Sequence, residues 1–156
     1  MLRIKHIIEE GNELDVIRDL FREYEKELNE DICFQSFDEE LKNPLKKYGP
    51  PSGDLVLGYW EDEIAGCVAL AKMKDAGACE MKRLYVRPSF RKNRIGRLLV
   101  EELIGSAKEK NYEKMRLDTF SKLQAAVHLY RQFGFENISA YYNNPLPGVV
   151  YMEKSL

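Results

Sequence analysis

The chain holds no apolar run of the eighteen or so residues that a membrane-spanning helix needs. Its opening, Met1-Leu2-Arg3-Ile4-Lys5-His6, has no apolar stretch of signal-peptide length. A soluble, cytoplasmic protein is therefore expected. A cysteine framework is missing too: Cys33, Cys67 and Cys79 are odd in number and lack CxxC spacing, which reads as buried, reduced thiols. Histidine is scarce. His6 and His128 stand apart from any Cys or carboxylate cluster at ligand spacing, so no metal site is expected, and His128 reads as a helix-surface residue. There is no excess of basic charge: 24 Lys and Arg against 26 Asp and Glu give −2, which excludes a strongly basic nucleic-acid binder. Repeats, low-complexity tracts and interdomain linkers are absent. With 156 residues, 44% of them hydrophobic, residues 1–156 fit one domain that buries roughly two thirds of its unfolded surface.

What is present begins with periodicity. A short strand over residues 2–8 leads into an acidic helix over 12–28, with Leu14, Ile17, Leu20, Phe21, Tyr24 and Leu28 on one face. Ser36-Phe37-Asp38-Glu39 has the form of a capping box opening a short helix to about Lys47. Gly49-Pro50-Pro51-Ser52-Gly53 stops helical structure, and strands follow over 54–60, 64–72 and 79–86, with turns at 61–63 and 75–77. From Ile95 the apolar spacing becomes helical again, and residues 114–120 return to a strand. Strand, loop, helix and strand make a crossover unit. Ser121-Lys122-Leu123-Gln124 reads as a second capping box, for a helix whose inner face is Leu123, Ala126, Val127, Tyr130 and Phe133 and which stops at Gly134. Two last strands flank residues 143–148.

The chemistry is concentrated between the strand ending at Val86 and the helix starting near Arg94. Residues 81–100 carry seven basic side chains (Lys82, Arg83, Arg87, Arg91, Lys92, Arg94, Arg97) and no acidic one, leaving −9 for the rest of the chain. A helix N-terminus is already partly positive and normally recruits Asp or Glu. Arginines there become favourable when a multiply charged anion such as a pyrophosphate occupies the helix start. Gly96 adds a place where such an anion can approach backbone. A solvated basic loop is the bland alternative. A nucleic-acid patch fits less well, because the segment is short and the remainder acidic.

Glu80-Met81-Lys82-Arg83-Leu84-Tyr85-Val86-Arg87-Pro88 followed by Arg91-Lys92-Asn93-Arg94-Ile95-Gly96-Arg97-Leu98-Leu99 resembles the central acetyl-CoA motif of the GNAT N-acetyltransferases, whose loop reads Q/R-x-x-G-x-G/A. Leu129-Tyr130-Arg131-Gln132-Phe133-Gly134-Phe135 resembles their second motif, L-Y-x-x-x-G-F. The resemblance covers the chain from about Leu55 to the end, and the N-terminal helices more loosely. Two departures stand out: Arg94 occupies the position of the first loop glycine, and Leu123 that of an asparagine common near the start of the second-motif helix.

The resemblance implies an α/β (α+β) fold: a mixed, mostly antiparallel central sheet of six to seven strands flanked by about four helices. It implies acetyl-CoA as cosubstrate and no metal. Leu84, Tyr85 and Val86 would lie along the pantetheine arm, with the Val86 amide facing the thioester carbonyl. Arg91, Lys92, Asn93, Arg94, Ile95, Gly96 and Arg97 would hold the pyrophosphate, the amides of 92–97 foremost. Tyr130 would protonate or hydrogen-bond the departing thiolate, a core tyrosine being the bland alternative for its helix face. Glu80 would be the base that takes a proton from an amine of pKa near 10.4; it could equally orient a cationic acceptor or pair with Arg83. Tyr141, Tyr142 and the turn at 143–148 would border the acceptor pocket. The acceptor would be a small-molecule amine or a peptide, with no nucleic-acid or membrane partner and room for a homodimer. Residues 9–40 hold thirteen acidic and three basic residues, a surface that would steer a cationic acceptor if it were more than a solvated face. A non-catalytic acyl-CoA-binding module on the same fold is the alternative function.

Overall fold

The computed structural model describes residues 1–32 and 36–156; Cys33 lies outside the described residues. Seven strands, β1 (Leu2–His6), β2 (Asp54–Trp60), β3 (Glu63–Lys72), β4 (Ala78–Val86), β5 (Lys114–Phe120), β6 (Glu136–Ile138) and β7 (Val149–Ser155), form one sheet. The helices are α1 (Asn12–Leu28), α2 (Phe37–Lys42), α3 (Pro44–Tyr48), α4 (Ile95–Glu109) and α5 (Gln124–Gln132), with a 3-10 turn over Pro88–Asn93. The spatial order is β1-β2-β3-β4-β5-β7-β6. Every neighbouring pair is antiparallel except β4 and β5, which the α4 crossover brings back in the same direction.

Both faces of the sheet are covered, so β3 reads as an almost unbroken apolar run. Val68 and Leu70 enter a core shared with Ile95, Leu99, Leu103 and Tyr130 of α4 and α5; Cys67, Ala69 and Ala71 enter a second core under α1 to α3. On α1, Leu14, Ile17, Leu20, Phe21 and Leu28 are buried on the face expected from their spacing. Cys67 and Cys79 are free and buried, and burial pushes the Cys79 thiol up to about 12. No helix among the described residues is long and apolar enough to cross a membrane.

Three local expectations are corrected. The single helix expected before residue 48 is two, because Pro44 has no amide to continue α2 and instead begins α3. Neither capping box forms. Ser36 sits at φ 60° and ψ 37°, outside the extended region from which a capping hydroxyl reaches back, and makes no side-chain cap bond. Ser121 falls two residues before the actual N-cap, Leu123, and its amide bonds the Gly148 carbonyl at 2.8 Å. Gly134, at φ 92°, does end the α5 segment as expected.

β4 positions the site. Cys67 faces Tyr85 while Ala69 faces Lys82, so Arg83 and Leu84 together oppose Val68 in a bulge. Arg83 takes φ 59° there, a conformation that costs an L-residue about 1–2 kcal/mol. Its buried guanidinium is held by Glu40, from Nε to Oε2 at 2.7 Å and from Nη2 to Oε1 at 3.2 Å, and Glu40 also accepts the Tyr48 hydroxyl at 2.7 Å. A bulge bends its strand, and β4 pairs with β5 only through Ala78, Cys79 and Glu80 against Lys114, Met115 and Arg116. Beyond Glu80 the two strands part.

Candidate active site

The parting of β4 and β5 leaves backbone uncovered. Arg87 donates to the Ala65 carbonyl at 2.7 Å, so the Arg87/Ala65 pair is hydrogen-bonded and the adjoining Gly66/Val86 pair is not. The Val86 amide and carbonyl therefore point away from β3, toward the side from which β5 has withdrawn. The carbonyl accepts Arg91 Nε at 2.9 Å. The amide faces a groove of about 520 Å³ lined by Leu84, Tyr85, Val86, Arg91, Gly96 and residues of α1 and α5.

At the end of this groove α4 begins. The amides of Ile95, Gly96 and Arg97 have no acceptor within the helix; the first closing bond runs from Leu98 to the Arg94 carbonyl at 3.2 Å. Arg94, the residue in place of the motif glycine, adopts φ 58° and ψ 24° and gives no side-chain cap. Its backbone takes a left-handed conformation that glycine adopts without strain, and its side chain is exposed. A Cβ built on Gly96 would lie 3.7 Å from Leu129 Cδ2 and 3.8 Å from Val86 Cγ2, ordinary contacts beside the groove. The protein's own packing does not demand a glycine there.

The seven basic residues of this region divide sharply. Arg87 pairs with Glu23 at 2.7 Å, Arg91 with Glu27 and Arg83 with Glu40, while Lys82 lies 3.7 Å from Glu80 and 3.9 Å from Asp118. Arg97 donates to Gln132 and stacks over Phe133 at 5.0 Å. Lys92 and Arg94 are left without a partner among the described residues. No carboxylate among the described residues meets Arg97, so the positive charge available to an anion at the helix start is three side chains, Lys92, Arg94 and Arg97, with the α4 amides and the helix dipole. The same pairs explain α1: Glu23 and Glu27 hold the loop, Glu13 meets Lys5 and Tyr59, and Arg18 meets Glu10 and Asp15. These carboxylates of α1 are committed to pairs that hold the fold together.

Between the strands lies a small cavity of about 50 Å³. It shares Leu84, Leu123 and Ala126 with the groove. On its other side it shares Lys82 with a cleft of about 550 Å³ that Glu80, Tyr141 and Tyr142 also line. Tyr130 lies in this neck, 7% exposed, its ring edge-on to Phe135 at 5.9 Å. Its hydroxyl has no hydrogen-bond partner among the described residues. Burial, with smaller contributions from Tyr24 and Asp118, pushes the phenol well above its ordinary value, so it stays protonated.

Glu80 is on the cleft side and accepts the Tyr141 hydroxyl at 2.6 Å. Arg83 pairs with Glu40 and not with Glu80, because the bulge turns Arg83 toward α2. Sequence reasoning missed Lys82 and Asp118 as one unit. Asp118 accepts from Tyr142 and, at 3.0 Å, from Asn144 Nδ2, while Tyr151 donates to the Tyr142 carbonyl at 2.9 Å and accepts the Asn144 amide at 3.2 Å. The alternation of β5 puts Asp118 on the polar face with Lys114 and Arg116, opposite Met115 and Leu117, and so carries no signal for its meeting with Lys82. His6 is not isolated: Nδ1 contacts Asp54 at 2.8 Å and Nε2 contacts Glu102 at 2.9 Å. Those partners lie 48 and 96 residues away in sequence, beyond any spacing rule. No group of metal-binding side chains occurs among the described residues.

Known proteins bear on this arrangement. Residues 14–135 match the model of the acetyltransferase (GNAT) family. An uncharacterized N-acetyltransferase of Schizosaccharomyces pombe is 47% identical over 90% of this chain and 86% of its own length. One of Dictyostelium discoideum is 31% identical over 89% and 92%. A Bacillus subtilis acetyltransferase solved in complex with CoA has the same fold, with a TM-score of 0.71, 24% identity and coverage of 100% of this chain and 99% of that one. From the strand bulge, the uncapped helix start and these matches together, the chain belongs to the GNAT family of acetyltransferases.

Proposed function

We propose that this chain is a single-domain N-acetyltransferase that moves the acetyl group of acetyl-CoA directly to a primary amine while both are bound. One observation carries the reading: a groove and a cleft meet at the β4/β5 split, and a buried hydroxyl with no partner among the described residues stands in the neck between them. Leu84, Tyr85 and Val86 line the pantetheine, with the free Val86 amide as donor to the thioester oxygen. The amides from Lys92 to Arg97 hold the pyrophosphate, helped by the Lys92, Arg94 and Arg97 side chains. Arg91 acts indirectly, by fixing α1 and the Val86 carbonyl. The free thiols and the cosubstrate suit a cytosolic setting.

The amine nitrogen, after losing a proton, attacks the thioester carbon and the carbon–sulfur bond breaks. The Val86 amide stabilises the oxygen as it becomes negative, an interaction worth about 3 kcal/mol in comparable sites. Tyr130 donates to the leaving sulfur. Its burial favours hydrogen bonding by a neutral phenol over full proton transfer, so the thiol's proton comes from the attacking nitrogen. Glu80 precedes Val86, whose amide meets the thioester oxygen, by six residues, roughly 17–20 Å along a strand rising about 3.3 Å per residue. A glutamate side chain does not span that, so Glu80 takes the amine proton through water.

The test has two parts. Acetyl-CoA at a hundred times its dissociation constant raises stability by about 2.7 kcal/mol, read as a shift in melting temperature. Free CoA thiol then appears when a panel of amines is supplied. Absence of any shift sinks the reading; a shift without turnover on any amine leaves an acyl-CoA-binding module.

A further inference from the structure

The cleft that opens beyond Glu80 differs in charge from the rest of the molecule. Its lining holds five cations, Lys47, Lys72, Lys74, Lys82 and Arg116, against two carboxylates, Asp75 and Glu80. That local +3 sits on a chain whose net charge is −2.

How far each cation is already satisfied decides what the cleft can bind. Arg116 is neutralised by Asp75 at 2.7 Å and Glu153 at 2.9 Å. Lys82 lies between Glu80 and Asp118 at 3.7 and 3.9 Å. Lys47 is 3.8 Å from a Glu40 oxygen, but Glu40 is committed to Arg83 and Tyr48 at 2.7 Å each. Lys72 and Lys74, at the end of β3 and in the turn after it, have no partner among the described residues. The surplus charge is therefore on Lys47, Lys72 and Lys74. The Lys47 ammonium is pushed below its usual value by desolvation first and by the nearby Lys82 charge second, which shows how poorly its charge is compensated.

The cleft is thus polarised. Toward the strand split stands a carboxylate, Glu80, fixed by Tyr141 at 2.6 Å with Lys82 beside it at 3.7 Å; the three surplus lysines, Lys47, Lys72 and Lys74, lie on other elements of the wall. A molecule with an ammonium at one end and an anion at the other matches both. A polyamine or a lysine-rich peptide would place further positive charge against the three lysines. The volume, about 550 Å³, lies in the range that holds a small molecule.

Building on the acetyltransferase reading, we propose that the acceptor is a small amine that itself carries an acidic group, of the size of a free amino acid, with its amine toward Glu80 and its anion held by Lys72, Lys74 and Lys47.

The experiment compares CoA thiol release with matched acceptors. The common α-amino acids, β-alanine and 2-aminoethyl phosphate are set against the corresponding carboxamides and against putrescine. The expected result is a kcat/KM at least about tenfold higher for an anionic amine than for its carboxamide, falling with added salt as screening grows. The phosphate arm shows which anion the lysines take. The exposed double substitution Lys72→Glu with Lys74→Glu is expected to raise KM for the anionic amine about tenfold and so erase its advantage over the carboxamide. Carboxamides or putrescine performing as well as the acids, or a double variant that slows both classes equally, overturns the proposal. If no amine is turned over, calorimetry on the CoA-bound protein compares N-acetyl-β-alanine with its amide. Selective binding of the acid keeps the anion site while the transfer reading falls, and equal or absent binding overturns the anion site as well.

Discussion

Tyr130→Phe separates a catalytic hydroxyl from a structural one. The substitution removes one oxygen from a side chain that is 7% exposed and whose hydroxyl has no partner among the described residues. Burying an unsatisfied hydroxyl costs about 1–3 kcal/mol, so its deletion is expected to leave the free protein unchanged in stability or up to about 2 kcal/mol more stable. At about 2–4 °C per kcal/mol for a chain this long, the melting temperature holds or rises by a few degrees. The ring contact with Phe135 is kept, so no cavity opens. In the reaction the same deletion removes a hydrogen bond to a sulfur that becomes negative, worth about 1.5–3 kcal/mol, or roughly tenfold to a hundredfold in kcat. The assays are a thermal melt of the free protein and thiol release under saturating acetyl-CoA. A melting temperature lower by several degrees would mean that the hydroxyl serves the fold. An unchanged kcat would remove Tyr130 from the chemistry.

Arg94→Gly relieves a left-handed backbone at φ 58° and is expected to raise stability by about 1 kcal/mol in urea unfolding, while the lost cation lowers acetyl-CoA affinity a few fold. Gly96→Ala adds a methyl that only brushes Val86 and Leu129; the fold is expected to persist while acetyl-CoA binding, followed by calorimetry, weakens about tenfold, near 1.4 kcal/mol. Glu40→Ala leaves the buried Arg83 guanidinium without its carboxylate and is expected to cost about 3–5 kcal/mol, seen as a lower urea midpoint. For His6, desolvation lowers the pKa, but bonds and charge from Asp54 and Glu102 outweigh it and the net shift is upward from 6.5. A raised folded-state pKa means that its contribution is complete below about 6.5 and is lost as pH rises through the higher folded value. Melting temperature is expected to fall over that interval in the parent, less so in high salt because the ring is partly exposed, and to be flat in His6→Gln.

Much of this protein was legible from short-range pattern. The bounds of α1, β2 and β5 follow from apolar spacing and turn residues, because a helix or strand that buries one face writes its period into the chain. The loop before α4 was legible from seven basic residues without an acid. Local chemistry misled where backbone conformation had the last word. Ser36 and Ser121 carry the capping pattern, yet Ser36 is left-handed and Ser121 bonds to the chain beyond residue 147.

The sequence by itself determined the order of elements, the crossover that makes β4 and β5 parallel, and the stretch in which an anion can meet a helix start. Tertiary structure alone decided which of the seven cations remain unpaired, because Glu23, Glu27 and Glu40 reach them from 43 to 64 residues away. It also decided that β4 bulges at Arg83, that the strands part beyond Glu80, and that Tyr130 stands in the opening between groove and cleft. Charge and hydrogen-bond satisfaction depend on distances between residues far apart in the chain, and folding, not spacing along the sequence, sets those distances.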